Sequence, residues 1–288
     1  MTTELQQRTI QLGPTTITAI VDVTTPWPML PVSDAIWNKV RAAYPSSFYN
    51  AETLLGRVHC YLIQQASRTI LVDTGLGKAP PPTPALSSQQ LEAQLSLMGI
   101  DATAIDTVFL THLHVDHVGL NTHYVDDKLQ ARFPNARYLA HKAEQGLIEF
   151  MQTHTPERAG YLQDQVLWLN EQGYLDFFEA DFELTEGITT WFTPGHSPGH
   201  TGLLIDHGTG ERVLIAGDIF FNPIQMFHPS FATGLDVDKE QAHATRLAVL
   251  QQVSDGKTLV AACHFPTPSF GYVVPDGDAY RWQPIAED

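Results

Sequence analysis

The chain has 288 residues, 43% of them hydrophobic, so it can bury a sizeable core in one large domain or two ordinary ones. Its 32 acidic residues against 16 basic residues give a formal net charge of -16, and a surface with that balance repels nucleic-acid backbones. No apolar run approaches the roughly 20 residues of a membrane span, and the start lacks a basic and apolar signal region. We therefore expect a cytoplasmic protein that binds neither nucleic acid nor a membrane.

The first part of the chain predicts strands, a loop and a helix. β-prone runs at residues 15–22, 58–64 and 68–72 predict strands, the last two as a hairpin. The proline-rich run 79–84 predicts a stiff loop, and residues 87–98 predict an amphipathic helix.

The rest of the chain again places strands before helices, which predicts an α/β protein with layers of helix, sheet, sheet and helix. In the last helix Ala242, Leu247, Val249 and Leu250 form the apolar side. The predicted strands are 137–140, 189–193, 213–216 and 258–263, and the predicted helices are 142–150, 156–169 and 238–253.

Four potential metal ligands follow an apolar run within six residues: His112, His114, Asp116 and His117. Imidazole and carboxylate groups hold zinc and similar divalent ions. Residues two apart in an extended segment point the same way, so His112 and His114 can hold one ion together. If the chain turns after Leu113, Asp116 and His117 can face a second ion. A loop of solvated or capping histidines is the alternative, and four ligands in this order favour the metal site.

Three later strands each end at another candidate ligand. The strand at 189–193 leads into a Pro-Gly loop that carries His196 and His200, where glycine and proline demand a sharp turn. The next two strands end in Gly-Asp at Asp218 and in His264.

The series His-x-His-x-Asp-His, Gly-His, Gly-Asp and a final His resembles the metallo-β-lactamase superfamily over about residues 15–274. The resemblance implies a four-layer αββα sandwich as one domain over residues 1–288, with about the first 50 as an extension. It implies that His112, His114 and His196 hold one metal, that Asp116, His117 and His264 hold a second, and that Asp218 bridges them.

The resemblance also implies supporting residues. Asp73 would accept a hydrogen bond from a ligand histidine, and His200 would support the site rather than bind metal. Cys263 adjoins His264, but alternation along the predicted strand turns it to the opposite face, so it is not counted as a ligand.

Two divalent metal ions are the implied cofactors, with zinc first and iron, cobalt or manganese open, because histidine and carboxylate suit them all. Such a pair can share one hydroxide, which would be the nucleophile. Asp116 and Asp218 are the candidate catalytic residues, Asp116 as the group that steers or accepts a proton. The sequence contains no motif for a serine or cysteine nucleophile.

Two branches of the superfamily resemble the chain, the acyl-homoserine lactonases and the methyl parathion hydrolase group. The lactonases often carry a tyrosine three residues after the bridging aspartate, where this chain has Phe221. The Asp-Val-Asp at 236–238 and the run 264–271 look more like the second group. The tentative pocket wall consists of Phe220, Phe221, Phe265 and Phe270, with core packing as the alternative for each.

The implied function is hydrolysis of lactone or ester bonds in a neutral small molecule, with acyl-homoserine or aryl lactones first. Organophosphate triester hydrolysis is the alternative, followed by a binding protein or sensor that keeps the fold without turnover. Few residues follow His264, so we expect no added helical domain for thioester substrates. A homodimer is expected by resemblance, with the N-terminal extension as a lid or dimer contact.

Overall fold

The computed structural model describes residues 7–28, 31–77, 90–267 and 269–286. The predicted loop at 79–84 and the start of the helix predicted at 87–98 lie outside these residues. The chain divides into two compact units, so the single domain stays a prediction. Unit 1 comprises Met1–Val23, Val58–Asp181 and Ser197–Gly199, and unit 2 comprises Thr24–Arg57, Phe182–His196 and His200–Asp288.

The described residues form the following strands and α-helices. The strands are β1 (Gln7–Leu12), β2 (Thr15–Pro28), β3 (Phe48–Asn50), β4 (Thr53–Gln65), β5 (Arg68–Val72), β6 (Thr107–Phe109), β7 (Thr122–Val125), β8 (Lys128–Ala131), β9 (Arg137–His141), β10 (Leu175–Phe178), β11 (Glu183–Thr185), β12 (Ile188–Phe192), β13 (Thr201–Asp206), β14 (Arg212–Gly217), β15 (Thr258–Ala262), β16 (Phe270–Asp276) and β17 (Ala279–Pro284). The helices are α1 (Asp34–Ala43), α2 (Gln90–Leu97), α3 (Val115–Val118), α4 (Glu144–His154), α5 (Gly160–Leu162), α6 (Trp168–Glu171), α7 (Ile224–Phe227) and α8 (Lys239–Val253).

The sheet of unit 1 places the first candidate ligands. Its strands follow the order β1-β2-β4-β5-β6-β9-β10. β3 pairs with the start of β4 at Thr53 and Leu54, which belong to unit 2 like β3 itself. β5, β6, β9 and β10 pair in parallel, and every residue of β6 is buried, as expected of a strand covered on both faces. Because β5 and β6 are parallel, the segments that follow them leave the same edge. Asp73 accordingly donates its backbone N–H to the carbonyl of Phe109, at 2.9 Å.

The helix predicted at residues 156–169 in unit 1 is broken into three pieces. Residues 156–169 were expected to form one helix, but α5 and α6 flank a π-helical turn at Gln163–Leu167. A π turn widens the helix, and its carbonyls here take outside donors. The side chain of Asn121 donates to the backbone carbonyl of Gln165 at 3.0 Å, and the hydroxyl of Thr122 donates to the backbone carbonyl of Asp164 at 3.2 Å.

Unit 2 contains a seven-stranded sheet in the unbroken order β11 to β17. Its pairs are antiparallel except for β14 and β15, which are parallel. The strands expected at 189–193, 213–216 and 258–263 form, with ends shifted by at most one residue. α8 begins after Asp238, whose side chain accepts a hydrogen bond from the backbone N–H of Gln241.

Two expectations are corrected in unit 2. β2 and β4 are longer than expected, because Leu54 lies in the hydrophobic core of this unit and Trp27 packs against that core. Leu247 on α8 is exposed, and Arg246 takes the buried position instead. Every helix in the described part of the chain is too short or too polar to cross a membrane.

Candidate metal centre

The first candidate ligands follow β6 in unit 1. The ring nitrogens His112 Nε2 and His114 Nδ1 lie 2.9 Å apart, with His112 buried and His114 half-buried. The extended segment has thus turned both imidazoles the same way, as spacing by two requires. Two ring nitrogens this close suit neighbouring ligands of one divalent ion.

Asp116 and His117 lie on α3, the single helical turn that follows His114. The His117 Nε2 and Asp116 Oδ1 atoms are 3.9 Å apart. His117 is fully buried, whereas about a fifth of the Asp116 side chain is exposed. The strand β6 ends at Phe109, earlier than the expected end at Leu113, and the turn that carries Asp116 and His117 begins at Val115.

Asp73 fixes the orientation of His117. Its Oδ2 lies 2.7 Å from His117 Nδ1, and the backbone N–H and the hydroxyl of Thr111 donate to the same carboxylate at 2.8 Å each. A proton on Nδ1 shared with Asp73 leaves the Nε2 lone pair available for a metal. Asp73 has a φ of 59°, a conformation that aspartate tolerates better than most residues.

In unit 2, two histidines converge on one carboxylate oxygen. His196 follows β12, Asp218 follows β14 and His264 follows β15 after one intervening residue. Asp218 Oδ2 lies 3.4 Å from His196 Nε2 and 3.1 Å from His264 Nε2, and all three side chains are buried. Such an oxygen between two imidazoles is suited to bind a metal together with them.

A buried ion pair orients His196. Asp236 Oδ1 lies 3.1 Å from His196 Nδ1, and Arg246 Nη2 donates to both oxygens of Asp236 at 2.9 and 2.8 Å. Burial by itself would raise the pKa of the Asp236 carboxyl. The hydrogen bond with His196 and the charge of Arg246 outweigh burial, so the pKa is lowered and the carboxylate stays charged.

His264 and Asp218 have supports of their own. His264 Nδ1 lies 2.6 Å from the carbonyl oxygen of Arg57, which directs Nε2 toward Asp218. His200 Nε2 accepts the backbone N–H of Asp218 at 2.9 Å, and its Nδ1 lies 2.8 Å from the Thr193 hydroxyl. His200 therefore holds the backbone of a candidate ligand, which is the kind of role expected of it.

The glycine before His196 is required by packing. Gly195 has a φ of 131°, and a Cβ atom there would lie 2.2 Å from the backbone nitrogen of Ala242 at the start of α8. The carbonyls of Gly195 and His196 accept the backbone N–H groups of Asp238 and Val237, each at 3.0 Å. The Pro-Gly-His sequence thus seats the ligand loop against the helix that carries Arg246.

The expectation that Cys263 faces away from the ligands is wrong. Its Sγ atom lies within 4.8 Å of ligand atoms on both Asp218 and His264. Strand alternation does not apply, because β15 ends at Ala262 and Cys263 lies in the turn that follows.

The four pocket phenylalanines have different environments in unit 2. Phe220 and Phe265 belong to the hydrophobic core, and Phe270 is fully buried, so for these three the structure supports the alternative of core packing. Phe221 stacks on Trp27 with ring centroids 5.2 Å apart, and its ring lies 4.5 Å from that of His264. Trp27, which is only partly buried, lies in the N-terminal segment that was expected to form a lid or a dimer contact.

The sequence interpretation also missed Glu144, Arg246 and the role of Asp236. Arg246 follows Ala242 by four residues and precedes Leu250 by four, and this spacing marks the buried side of α8. Nothing in the local pattern singles out Glu144, because its partners lie far away in the chain.

The donor set fits a divalent metal ion. The Nδ1 atoms of His117, His196 and His264 each lie beside an oxygen acceptor, which leaves their Nε2 atoms for coordination. The other donors are the imidazoles of His112 and His114 and the carboxylates of Asp116 and Asp218, which suit zinc and related ions.

Comparison with known families matches residues 54–264 to the metallo-beta-lactamase superfamily. The chain belongs to this superfamily. The match confirms the predicted family and covers every candidate metal ligand from His112 to His264.

Curated relatives are similar to part of the chain. An N-acyl homoserine lactonase of Bacillus cereus is 29% identical over 182 residues, which are 56% of this chain and 63% of the relative. N-acyl homoserine lactonase AttM of Rhizobium radiobacter is 28% identical over 134 residues, which are 43% of this chain and 45% of the relative. The chain thus spans less than two thirds of the length of these relatives.

Two solved structures share the fold over nearly the whole chain. The hydrolase AbOPH, described as a member of the beta lactamase superfamily, has a TM-score of 0.84 at 22% identity and 99% coverage of both chains. AidC, described as a dizinc quorum-quenching lactonase, has a TM-score of 0.78 at 23% identity and 98% coverage of both chains. The predicted α/β metallo-β-lactamase fold is confirmed.

Proposed function

We propose that this member of the superfamily is a metal-dependent hydrolase that opens lactone rings, with acyl-homoserine lactones as the first substrate class. The observation that carries the proposal is the convergence of His196 and His264 on Asp218, with each Nδ1 atom already held by an oxygen. The names of the two curated relatives supply the substrate class.

The proposed ligand assignment rests on the order of the motifs, on family membership and on the geometry within each unit. Zinc is the first choice of metal, as in the dizinc AidC. The first ion would be held by His112, His114 and His196, the second by Asp116, His117 and His264, and both by Asp218.

When bound, two such ions acidify a water molecule to a pKa near 7 and polarise the oxygen of a substrate carbonyl. The residues of the chain orient this chemistry. Asp73 and Asp236 hold the Nδ1 atoms of His117 and His196, and Arg246 keeps Asp236 charged. Asp116, whose carboxylate is partly exposed, is the proposed proton acceptor.

Organophosphate triester hydrolysis is the second candidate. Phe221 and Trp27 offer an apolar aromatic surface beside His264, at the place where the lactonases often have a tyrosine hydroxyl. Such a surface suits the aryl group of a triester or an aryl lactone, because it forms stacked contacts without demanding a hydrogen bond.

For either candidate function, we also propose a single domain, a homodimer, a cytoplasmic location and a neutral small-molecule substrate.

The test is a substrate panel on zinc-loaded protein: N-hexanoyl homoserine lactone, dihydrocoumarin, a paraoxon-type triester and a chromogenic cephalosporin. We expect the lactones to give the highest kcat/KM. Asp218→Asn should lower it by more than the roughly 10- to 100-fold that loss of an outer partner costs. Fast triester turnover with inert lactones would reverse the order of the candidates. A protein inactive on the whole panel, or unchanged hydrolysis by Asp218→Asn, would refute the proposal.

A further inference from the structure

The residue between two candidate ligands is held through both of its backbone polar groups by side chains of unit 1. The N–H of Leu113 donates to Glu144 Oε2, and its carbonyl accepts the Tyr161 hydroxyl, each at 2.8 Å. All three residues are buried. A buried backbone group outside a sheet needs a partner, and here the partners come from α4 and α5.

The carboxylate of Glu144 also holds a second segment. Its Oε1 accepts the Ser197 hydroxyl at 2.5 Å and the backbone N–H of Gly199 at 2.7 Å. Ser197 directly follows the candidate ligand His196 in the chain. A Cβ atom on Gly199 would lie 2.6 Å from the backbone nitrogen of Glu144, so this turn packs tightly on the start of α4.

A contribution to folding stability does not by itself explain why a carboxylate is buried at position 144. Glu144 is completely buried, and burying a charged group is costly even when hydrogen bonds compensate it. Its oxygens accept from two distant segments, at Leu113 and at Ser197 and Gly199. Both segments adjoin candidate metal ligands.

We propose that Glu144 is a positioning residue of the metal centre, which fixes Leu113, and with it the His112 and His114 pair, against the Ser197–Gly199 turn. An ionised carboxylate accepts all three donors at once. A glutamine amide would have to turn its NH2 group toward one of them. The inference rests on the metal-binding part of the proposed function and does not depend on the substrate.

The test measures zinc affinity of purified metal-free protein by competition with a chromophoric chelator. Glu144→Gln should lower the affinity by roughly 10- to 100-fold, as loss of an outer partner does. It should also change the visible spectrum of the cobalt-loaded protein, which reports ligand geometry. Asp106→Asn is the matched control, because Asp106 likewise accepts a backbone N–H, from Thr69 at 2.6 Å, and a hydroxyl, from Thr107 at 2.7 Å. Asp106 precedes β6, whereas the ligands follow it, so this variant should bind zinc like the wild type.

Wild-type affinity in a folded Glu144→Gln protein overturns the inference, and so does an equal loss in the control. If Glu144→Gln does not fold, Ser197→Ala decides, since it removes the hydroxyl that Glu144 Oε1 accepts. A loss of zinc affinity beyond that of Asp106→Asn supports the inference, and unchanged affinity in Ser197→Ala overturns it. A wild type that binds zinc but is inactive on the whole substrate panel refutes only the proposed function, and one that binds no zinc refutes both.

Discussion

The two units carry their candidate ligands in different ways. In unit 1, His112, His114, Asp116 and His117 lie within six residues, between β6 and α3. In unit 2 the ligands lie after three separate strands, β12, β14 and β15. The first set can therefore be found from local spacing, whereas the second is assembled by the pairing of strands far apart in the sequence.

The supports of the ligands differ as well. In unit 1, Asp73 bonds His117 and takes its other hydrogen bonds from the neutral groups of Thr111. In unit 2, Asp236 bonds His196 and is paired with the buried guanidinium of Arg246. Removal of Arg246 leaves the buried charge of Asp236 without its counter-ion. The ion pair in unit 2 should therefore matter to folding as well as to metal binding.

The strongest test of this difference is Arg246→Met in the metal-free protein. Removing one partner of a buried ion pair costs roughly 3–5 kcal/mol of the free energy of unfolding, which urea denaturation measures. Arg212→Met is the matched control, because Arg212 pairs with Asp255 at 2.7 Å but about a third of its side chain is exposed. An exposed pair contributes about 0–1 kcal/mol, so equal losses in the two variants would break the comparison.

The next effect concerns Asp73→Asn in unit 1. Asparagine accepts the positive φ of this position, so the substitution tests the orientation of His117 without straining the backbone. We expect zinc affinity to fall roughly 10- to 100-fold. The free energy of unfolding of the metal-free protein should change less than in Arg246→Met.

Chelator competition and urea denaturation on the same preparations separate the two quantities. Asp73→Asn would contradict the comparison if it destabilised the metal-free protein as much as Arg246→Met while zinc affinity stayed at the wild-type value.

The part of the site that the sequence predicts is the part whose contacts are local. Spacing by two turns His112 and His114 the same way, and the strands that end before Asp218 and His264 have simple apolar runs. The partners of Glu144 lie 31 to 55 residues away, so no pattern reveals them. Cys263 was misplaced because β15 ends one residue earlier than its apolar run suggests.

Two other features needed the packed structure. Arg246 has the spacing of a core residue on α8, yet a charged side chain is expected to be exposed until its buried partner Asp236 is known. Trp27 lies between Pro26 and Pro28, and prolines in a run argue against a strand, yet β2 continues as far as Pro28 and Trp27 packs against the core.

A final comparison uses one buried tyrosine in each unit. Tyr138 donates its hydroxyl to the carbonyl of Asn121 at 3.0 Å and accepts the N–H of Phe133 at 3.1 Å. Tyr44 does the same with both backbone groups of Trp282, each at 2.9 Å. In both cases burial raises the pKa of the phenol well above its usual value of 10.

These raised pKa values predict a loss of stability at high pH. The unfolded chain releases each tyrosine proton near pH 10 while the folded protein keeps it, so the stabilisation is complete below pH 10 and declines above it. Each such tyrosine contributes about 1.4 kcal/mol per pH unit to the decline. Urea denaturation from pH 8 to about pH 11 should show little change of slope well below pH 10, and above pH 10 a slope that is reduced by up to that amount in both Tyr44→Phe and Tyr138→Phe. A smaller reduction in one variant would mean that its unit opens enough at high pH for the phenol to ionise before the chain unfolds.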